Sequence, residues 1–449
     1  MSRTLYRGAT IQAVPQRLLL FAATTGYQIR VFAEAARLLG VDATLAADRC
    51  NRLDDPWGDH SIAVKFDSRM PQSVETFRGM QFDGVAAVGD RPAVLAAEVA
   101  AMLGIPFHPP AAARACQDKY LARQLYQAAG LRAPAYFRAA LTEDAGALAR
   151  RAPYPCVLKP LGLSASRGVI RANNQAEFVA AFERIRALLE KNPDLRRLRQ
   201  RHLQVESYIE GREFAIEGLV THGSFQPLAI FDKPDPLTGP FFEETIYVTP
   251  SREPAATQEA LLDTAGRAVR ALGLRHGPAH LEMRWNAEGV WMLDAAARPI
   301  GGLCAKALRF QWESPIPPLA GQADPQTAWA PRPAPLEELI IRHALREDVS
   351  GARLEGPASG VMMVPIPKGG VYESVEGVER AAAVPGIEDV IVTAKPGQRL
   401  VPPPEGSSYL GFIFARGNSA REVELALRRS HAELRFHIAT ALETLSPSI

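Results

Sequence analysis

Apolar strands and amphipathic helices alternate near the N-terminus of the chain. Residues 17–48 read RLLLFAATTGYQIRVFAEAARLLGVDATLAAD: a continuous apolar run, a turn, apolar residues at helical spacing and a second strand-like run. Residues 82–110, FDGVAAVGDRPAVLAAEVAAMLGIPFHPP, repeat this order. Strands that are apolar on both faces, separated by helices, are typical of a parallel sheet covered by helices on both sides. We therefore expect residues 1–112 to form a small doubly wound α/β domain.

The middle of the chain shows a different pattern, in which strand-like runs alternate with turn residues. Residues 154–172, YPCVLKPLGLSASRGVIRA, read as strand, loop and strand, and a helical pattern follows at about 175–190. Residues 203–233 and 278–299 contain further strand-like runs between turns. This alternation favours antiparallel pairing, so we expect an α+β domain over residues 113–310.

A proline- and alanine-rich segment, residues 314–338, separates this domain from the C-terminal part of the chain and reads as a linker or wrapping segment. The strand-like and helical stretches after it indicate a smaller α+β unit within residues 311–449. The expected fold class is therefore multidomain, α/β and α+β. The length of 449 residues agrees, because a single compact core rarely grows so large.

The composition of the chain argues against several classes of protein, among them nucleic-acid-binding, membrane and disulfide-rich proteins. With 47% hydrophobic and 22% charged residues, and 51 basic against 49 acidic residues, the chain shows no sign of a general nucleic-acid or membrane surface. The basic run RRLRQRH at 196–202 reads as the solvated face of a helix. Cys50, Cys116, Cys156 and Cys304 form no CxxC pair, so neither a zinc site nor a disulfide framework is indicated. Without a signal pattern or a membrane-length apolar run, we expect a cytoplasmic protein.

The common glycine-rich nucleotide motifs are missing from the sequence. The turn ATTGYQ lacks GxGxxG, which argues against a dinucleotide site, and GxxxxGK[ST] does not occur. Instead, the strand-like run VLKP delivers Lys159 to a loop of glycines and serines, residues 162–168. The N–H groups and hydroxyls of such a loop can donate hydrogen bonds to anionic oxygens, which suits a lid over phosphates. A mobile hairpin tip with a solvated lysine is the alternative.

Two pairs of carboxylates are further candidates for chemistry. Glu206 and Glu213 flank an EG turn, where they suit a purine amine and a ribose hydroxyl, or are exposed acids of a hairpin. Glu282 and Asp294 flank the turn NAEG, so a hairpin would set them roughly opposite each other. Facing carboxylates repel unless a cation separates them, and magnesium bound to phosphate oxygens is the natural candidate. Two solvent-facing acids are the alternative to a metal site.

Taken in order, these motifs resemble the ATP-grasp superfamily over roughly residues 10–310. The order is an N-terminal α/β domain, DK, LKP with a lid loop, VESYIEG followed by RE, the two facing acids, and an arginine followed by GG. The closing segment SYLGFIFARG and the chain length resemble the carboxylate-amine ligase branch, which includes the L-amino acid ligases. The resemblance implies a central ATP-grasp fold and an ADP-forming ligase that activates a carboxylate as an acyl phosphate.

The resemblance also implies roles for particular residues in nucleotide binding. Two lysines would contact the phosphates of ATP under the loop, a glutamate and the backbone beside it would hold the adenine, and a second glutamate would hold the ribose. In this order the residues are Lys119, Lys159, Ser164, Ser166, Gly168, Glu206, Ser207, Ile209 and Glu213.

For the reaction itself, the resemblance implies that Glu282 and Asp294 hold Mg²⁺ or Mn²⁺ and that Arg298 lies against the reacting carboxylate. His280, Gly301 and Gly302 are the candidates for substrate contact. His276 and His280 lie near Glu282 in the sequence and are candidates for substrate binding or for a base, with a structural hydrogen bond as the alternative. The substrates would be a small-molecule carboxylate and an amine, two amino acids among the options. A homodimer is left open.

One residue departs from the family pattern. Where the family has E-x-N-x-R, this chain reads DAAAR, so Ala296 replaces an asparagine that would ligate metal. The change leaves a non-catalytic nucleotide sensor as an alternative to the ligase. A second alternative is a carboxylase-type enzyme that activates bicarbonate, although no biotin-acceptor MKM occurs. The long polar loop within residues 231–250, which includes Lys233 and Glu244, is expected to shape a substrate pocket.

Overall fold

The computed structural model of the protein describes residues 15–23, 28–48, 60–67, 69–192, 195, 201–312 and 333–440. The stretch 196–200 of the basic run, most of the proline-rich segment and Cys50 lie outside these residues. The other three cysteines are buried and free. No helix within the described ranges has both the length and the apolar character needed to cross a membrane.

The N-terminal part is built on a parallel sheet in the order β3-β2-β1-β4. Its elements are β1 (Arg17–Ala22), α1 (Ile29–Leu38), β2 (Asp42–Ala47), β3 (Ser61–Ala63), α2 (Met70–Glu75), β4 (Gly84–Val88) and α3 (Asp90–Leu103).

Side chains of β1 alternate between two cores. Leu19 and Phe21 pack with the buried residues of α3, whereas Leu18 and Leu20 pack on the opposite face with Phe32 of α1. Alternate residues of a strand point to opposite faces, so a strand that is apolar throughout must be covered on both. The doubly wound α/β prediction is confirmed.

Two helices connect this sheet to a small antiparallel sheet in the order β5-β8-β6-β7. The elements are α4 (Pro110–Gln117), α5 (Lys119–Ala128), β5 (Tyr136–Ala140), α6 (Ala145–Ala149), β6 (Cys156–Pro160), β7 (Ile170–Ala172), α7 (Gln175–Lys191) and β8 (His202–Ser207). The helix expected at about 175–190 is therefore present, and the predicted strand, loop and strand at 154–172 are β6, the loop and β7. Strand β6 is an inner strand of this sheet and ends on Lys159 and Pro160, so the loop begins directly after Lys159 and Pro160.

The largest sheet is antiparallel and runs in the order β13-β12-β9-β10-β11-β17-β21-β19. Its strands are β9 (Arg212–Thr221), β10 (Ser224–Lys233), β11 (Ile246–Thr249), β12 (Gly277–Asn286), β13 (Gly289–Ala296), β17 (Ala358–Val364), β19 (Ile387–Val392) and β21 (Gly411–Gly417). Five strands precede residue 310 and three follow it, so hydrogen bonds between β11 and β17 join the central and C-terminal parts of the chain.

The remaining elements complete the central and C-terminal parts. They are α8 (Ala255–Leu272), a 3-10 turn at Cys304–Ala307, β14 (Arg309–Trp312), β15 (Ala334–Pro335), α9 (Leu336–Ala344), β16 (Ala352–Leu354), β18 (Gly370–Glu376), α10 (Val378–Ala382), β20 (Arg399–Leu400), α11 (Ala420–Ala432) and β22 (Arg435–Ala439).

Helix α9 corrects the sequence interpretation of the segment in which it begins. The expected linker ends at residue 338, but α9 starts at Leu336, and its residues Leu339 and Ile340 share a buried core with Phe32 of α1. The helix therefore covers one face of the N-terminal sheet. The C-terminal side of the proline-rich segment reaches back to the start of the chain.

The small sheet depends on α7 for its core, which yields a test of stability. Phe182 is fully buried and stacks on Phe178, with ring centroids 6.5 Å apart. We expect Phe182→Ala to lower the free energy of unfolding by about 3–5 kcal/mol, because the cavity left behind can collapse only in part. Urea denaturation measures the loss. Leu425→Ala, at a position 45% exposed, should change stability by no more than about 0.5 kcal/mol; equal losses in the two variants would contradict the prediction.

Candidate active site

The strand pair β12–β13 places two carboxylates face to face. Glu282 lies directly opposite Asp294 in the antiparallel register, as the hairpin predicted from the sequence requires. The next pair on the same face is His280 opposite Ala296, because residues two apart on a strand share a face with their direct partners. One face of this hairpin therefore presents two acids, a histidine and a small apolar residue.

Lys119 neutralises one of the two acids. It is the first residue of α5, whose N-terminus is capped by the side chain of Asp118, and its Nζ lies 2.9 Å from Asp294 Oδ2. The same Nζ donates to the carbonyl oxygen of Leu163 in the loop, at 3.2 Å. Burial would lower the pKa of Lys119, but Asp294 and Asp90 raise it, so the ammonium stays charged. This lysine thus links the hairpin to the loop expected to close over phosphates.

Lys159 is held by a second buried acid. Its Nζ lies 2.6 Å from Oε2 of Glu206 on the neighbouring strand β8, and Arg123 of α5 lies 2.8 Å from Glu206 Oε1. Burial would raise the pKa of Glu206, but Arg123 and Lys159 lower it to about 2. Burial lowers the pKa of Lys159 even though Glu206 opposes that shift. Both oxygens of Glu206 already face cations, so a contact with an adenine amine would have to share them, and that role stays a prediction.

Lys233 forms the centre of a third group of charges. Its Nζ donates to Glu213 Oε1 at 2.8 Å and to Glu244 Oε1 at 2.6 Å, and lies 3.5 Å from Glu282 Oε1. Arg284 Nε donates to the other oxygen of Glu213, at 2.8 Å. Each of the three glutamates can offer an oxygen within 4.8 Å of the others, which is close enough to share one metal ion. In the sequence, Lys233 and Glu244 belonged only to a long polar loop; the structure places both in the site.

His280 connects the hairpin to the interior of the large sheet. Its Nδ1 forms a hydrogen bond with buried Glu217 of β9, and its Nε2 lies 3.2 Å from Glu282 Oε1. The second oxygen of Glu217 accepts from the N–H of Ile300 at 3.2 Å, while Gln28 donates to the Ile300 carbonyl at 2.9 Å. Sequence reasoning did not find Glu217. The sequence feature that could have indicated Glu217 is a charged residue within an apolar strand, because a buried charge must have a partner.

Arg298 follows strand β13 and pairs with an acid from the N-terminal part. Its Nε lies 2.9 Å from Asp90 Oδ1, its Nη2 lies 3.4 Å from Asp90 Oδ2, and its Nη1 donates to the carbonyl of Pro299 at 3.0 Å. Burial would lower the pKa of Arg298, but Asp90 and more distant acids raise it. Asp90 was not among the residues singled out from the sequence.

The loop at 162–168 is bound to the C-terminal part of the chain. Gly168 has a φ of 73°, and its N–H donates to the carbonyl of Pro404 at 2.8 Å; Arg167 donates to the carbonyl of Glu405 at the same distance. Ser164 is exposed and Ser166 half-buried, with a φ of 53° at Ser166. A segment some 240 residues further along the chain thus contacts one end of the loop.

The other predicted residues fall into two groups. The Ile209 carbonyl accepts a hydrogen bond from Arg284 Nη1 at 2.5 Å, beside Glu213. The Ser207 hydroxyl accepts one from the N–H of Ala135 at 3.0 Å, beside Glu206. Both groups therefore already use part of their hydrogen-bonding capacity. Gly301 faces open space, and a side chain at Gly302 would come within 3.2 Å of the Phe412 ring.

His276 packs against α9, in the structural role that was the alternative for it. Its ring stacks on His343 of α9, with centroids 4.1 Å apart, and its Nε2 lies 3.2 Å from the His343 carbonyl oxygen. It precedes β12, whereas Glu282 lies six positions further along an extended strand, or about 20 Å at the rise of a strand. Nearness in sequence does not bring His276 to Glu282, because residues six positions apart on an extended strand are far apart in space.

Comparison with known proteins places two domains on the chain. Residues 152–307 match the ATP-grasp domain, and residues 362–439 match the L-amino acid ligase C-terminal domain 2. The first match covers both strands of the Glu282–Asp294 hairpin, the loop and the Lys159 strand. The second lies in the C-terminal part that contacts the loop.

Relatives of known activity match part of the chain. A D-alanine–D-alanine ligase of Stutzerimonas stutzeri is 29% identical over 40% of this chain and 55% of its own length, and an alanine–anticapsin ligase of Bacillus subtilis is 27% identical over 42% and 43%. The chain thus spans about half the length of these ligases. The crystal structure of an L-amino acid ligase from Bacillus licheniformis superposes with a TM-score of 0.77 and 24% identity, covering 95% of this chain and 99% of that one. Its fold extends over nearly the whole molecule.

The charge on His280 gives a prediction for the dependence of stability on pH. Burial would lower the pKa of the ring, but Glu217 and Glu282 raise it to about 9, above its ordinary value of 6.5. Because the pKa is higher in the folded state, the protonated ring stabilises the fold fully below pH 6.5, and this contribution disappears as the pH rises through about 9.

We therefore expect the free energy of unfolding of the wild type to fall by about 1–3 kcal/mol more than that of His280→Asn across this range. Urea denaturation at a series of pH values measures the difference. His437→Asn, at a ring 47% exposed, is the control and should follow the wild type. A wild-type pH slope in His280→Asn would refute the assignment.

Proposed function

Because the chain belongs to the ATP-grasp superfamily, we propose that it is an ATP-dependent, ADP-forming ligase that joins a carboxylate to an amine. The observation that carries the proposal is the Glu282–Asp294 pair with three cations around it. Lys119 pairs with Asp294, Lys233 lies 3.5 Å from Glu282, and Arg298 follows the end of β13, the strand that carries Asp294. Cations placed beside two acids suit the binding of the triphosphate of ATP and, next to it, a substrate carboxylate.

Mg²⁺ is the metal that the two facing acids fit best. Both supply carboxylate oxygen, the ligand that hard divalent cations prefer, and each is already balanced by an ammonium group in this structure. Ala296 adds no ligand atom at the position opposite His280. When bound, the metal would neutralise charge on the phosphate oxygens of ATP. Glu282 and Asp294 are its proposed ligands, and Mn²⁺ would suit the same donors.

The reaction follows from the poor electrophilicity of a carboxylate. Transfer of the γ-phosphoryl group to a carboxylate oxygen gives an acyl phosphate and ADP; the amine then forms the new C–N bond as phosphate leaves and the amine loses a proton. Lys119 and Lys159 would hold the phosphates, and Arg298 would hold the carboxylate. The loop at 162–168 would exclude water, which would otherwise hydrolyse the acyl phosphate.

The nucleotide contacts belong to the same proposal. Adenine would lie beside Glu206 and the backbone at Ser207 and Ile209, ribose near Glu213, and phosphates under Ser164, Ser166 and Gly168, the order in which the resemblance implies them. His280, Gly301 and Gly302 would adjoin the substrates. A cytoplasmic location fits an ATP-consuming reaction and the free cysteines of the described residues. The homodimer stays a prediction.

Release of ADP and phosphate on mixing with ATP, Mg²⁺ and a panel of amino acids tests the function. We expect release that requires an amino acid pair, with the dipeptide identified by mass spectrometry. Release that requires bicarbonate instead would identify a carboxylase-type enzyme. Tight ATP binding without turnover under every condition would identify a nucleotide sensor, the alternative that Ala296 favours.

Two variants separate phosphate binding from carboxylate binding. We expect Lys159→Ala to lower kcat/KM by about 1000-fold or more, because the phosphates lose a buried positive charge. Arg298→Ala should lower turnover by about 100-fold or more while calorimetry shows nucleotide binding largely unchanged. Lys368→Ala, at an exposed position, is the matched control. Full activity in either site variant, with wild-type melting, would count against the assignment.

Restoring the family's asparagine gives an independent prediction. An asparagine side chain in place of Ala296 would project from the same face as Glu282 and Asp294 and could offer an amide oxygen to the metal. We expect Ala296→Asn to lower the half-saturating Mg²⁺ concentration by about 10-fold. Ala296→Val adds bulk without a ligand and is the control. The same change in both variants would show that the metal is not held at this face.

A further inference from the structure

The pairing of Arg298 with Asp90 is not accounted for by the proposed mechanism. Arg298 is expected to hold the carboxylate that is activated, yet the Nε edge of its guanidinium already faces a carboxylate at 2.9 and 3.4 Å. Asp90 is the first residue of α3, so this acid comes from the N-terminal part and not from the ATP-grasp domain. The side chains of Arg298 and Asp90 are 14% and 24% exposed, so solvent still reaches both.

The guanidinium keeps donors for a second partner. It has five N–H groups. Within the described part of the chain, Asp90 takes one on Nε and one on Nη2, and Pro299 takes one on Nη1. One N–H on each of the two Nη nitrogens is left over, and each can donate to a carboxylate oxygen. A substrate carboxylate can therefore bind without displacing Asp90.

A substrate carboxylate bound to Arg298 would lie next to the carboxylate of Asp90. Asp90 is held as an anion: burial would raise its pKa, but Arg298, Lys119 and a hydrogen bond from Ser164 lower it. Two anions beside one guanidinium repel each other unless a cation comes with the newcomer. An α-amino acid carries such a cation, because its ammonium group is attached to the carbon next to the carboxylate.

The other acids of the site are engaged elsewhere. Glu213 and Glu244 accept from Lys233, and Glu217 accepts from His280 and the N–H of Ile300. Glu282 and Asp294 form the proposed metal pair. Of the acids in the candidate active site, Asp90 is the one that forms an ion pair with Arg298 within the described residues.

We propose that Asp90 is a specificity-determining residue that accepts the α-ammonium group of the substrate whose carboxylate is activated. The Asp90–Arg298 pair then matches the two charges of an amino acid: guanidinium to carboxylate and aspartate to ammonium. The inference rests on the proposed ligase function and names its acyl donor as an α-amino acid with a free amino group. The product would keep that amino group as its N-terminus.

Hydroxylamine tests the acyl donor without knowledge of the natural amine. It replaces phosphate on the acyl phosphate to give a hydroxamate, which is measured by its coloured iron complex. The wild type is supplied with ATP, Mg²⁺, hydroxylamine and matched acids, such as L-alanine, L-lactate and N-acetyl-L-alanine, with the same series built on leucine, methionine and phenylalanine. We expect kcat/KM for the best amino acid to exceed that of its hydroxy and N-acetyl analogues by about 100-fold.

Asp90→Asn then tests the residue. Asparagine keeps the shape and an oxygen for Arg298 but loses the charge, so we expect the preference for amino acid over hydroxy acid to fall about 10-fold or more. Asp144→Asn, at the N-terminus of α6, is the matched control and should keep the wild-type preference. A proportionate loss with both acids, at unchanged preference, would show that Asp90 only orients Arg298 and would overturn the proposal.

The comparison in the wild type decides the matter even if Asp90→Asn fails to fold. A hydroxy or N-acetyl acid that reacts as well as the amino acid would overturn the role of Asp90 and leave the ligase function intact. No hydroxamate from any acid would remove the ligase function, and this inference with it.

Discussion

Every acid of the candidate active site is matched by a cation on a different element of the fold. A buried charge without a partner costs several kcal/mol, so elements that carry such charges must meet in a defined arrangement. Glu206 joins β8 to β6 through Lys159 and to α5 through Arg123. Asp294 joins β13 to α5 through Lys119. These contacts set the mutual positions of the small sheet, the helix and the hairpin.

The same balance supports the proposal that the site accepts a highly charged ligand. In this structure the lysines pair with carboxylates. On the proposed function, they would pair with the phosphates of ATP instead, and a metal ion would neutralise acids that lose their lysine partner. Lys233, with three acidic neighbours and 7% exposure, shows the arrangement most fully. Binding would then exchange one set of charge pairs for another, with no net charge left uncovered in the interior.

Both ends of the chain contribute to a site that belongs mainly to its middle. The N-terminal part supplies Asp90 to Arg298, and Gln28 supports the segment at Ile300. The C-terminal part holds the loop at Gly168, and Glu405 pairs with Arg184 of α7 through both carboxylate oxygens. The large sheet, shared between the central and C-terminal parts, gives these contacts a common frame. The loop is therefore held on both sides, at Leu163 by Lys119 and at Gly168 by the C-terminal part.

Local patterns in the sequence were sufficient for features that depend on neighbours along the chain. The apolar run of β1 required cover on both faces, the turn NAEG set Glu282 opposite Asp294, and the end of β6 placed Lys159 at the loop. Asp90, Glu217 and Lys233 had no local signal that named their partners, since Asp90 meets Arg298 across 208 residues and Glu217 meets His280 across 63. A charge in an apolar strand indicates that a partner exists; only the packing of distant elements decides which residue it is.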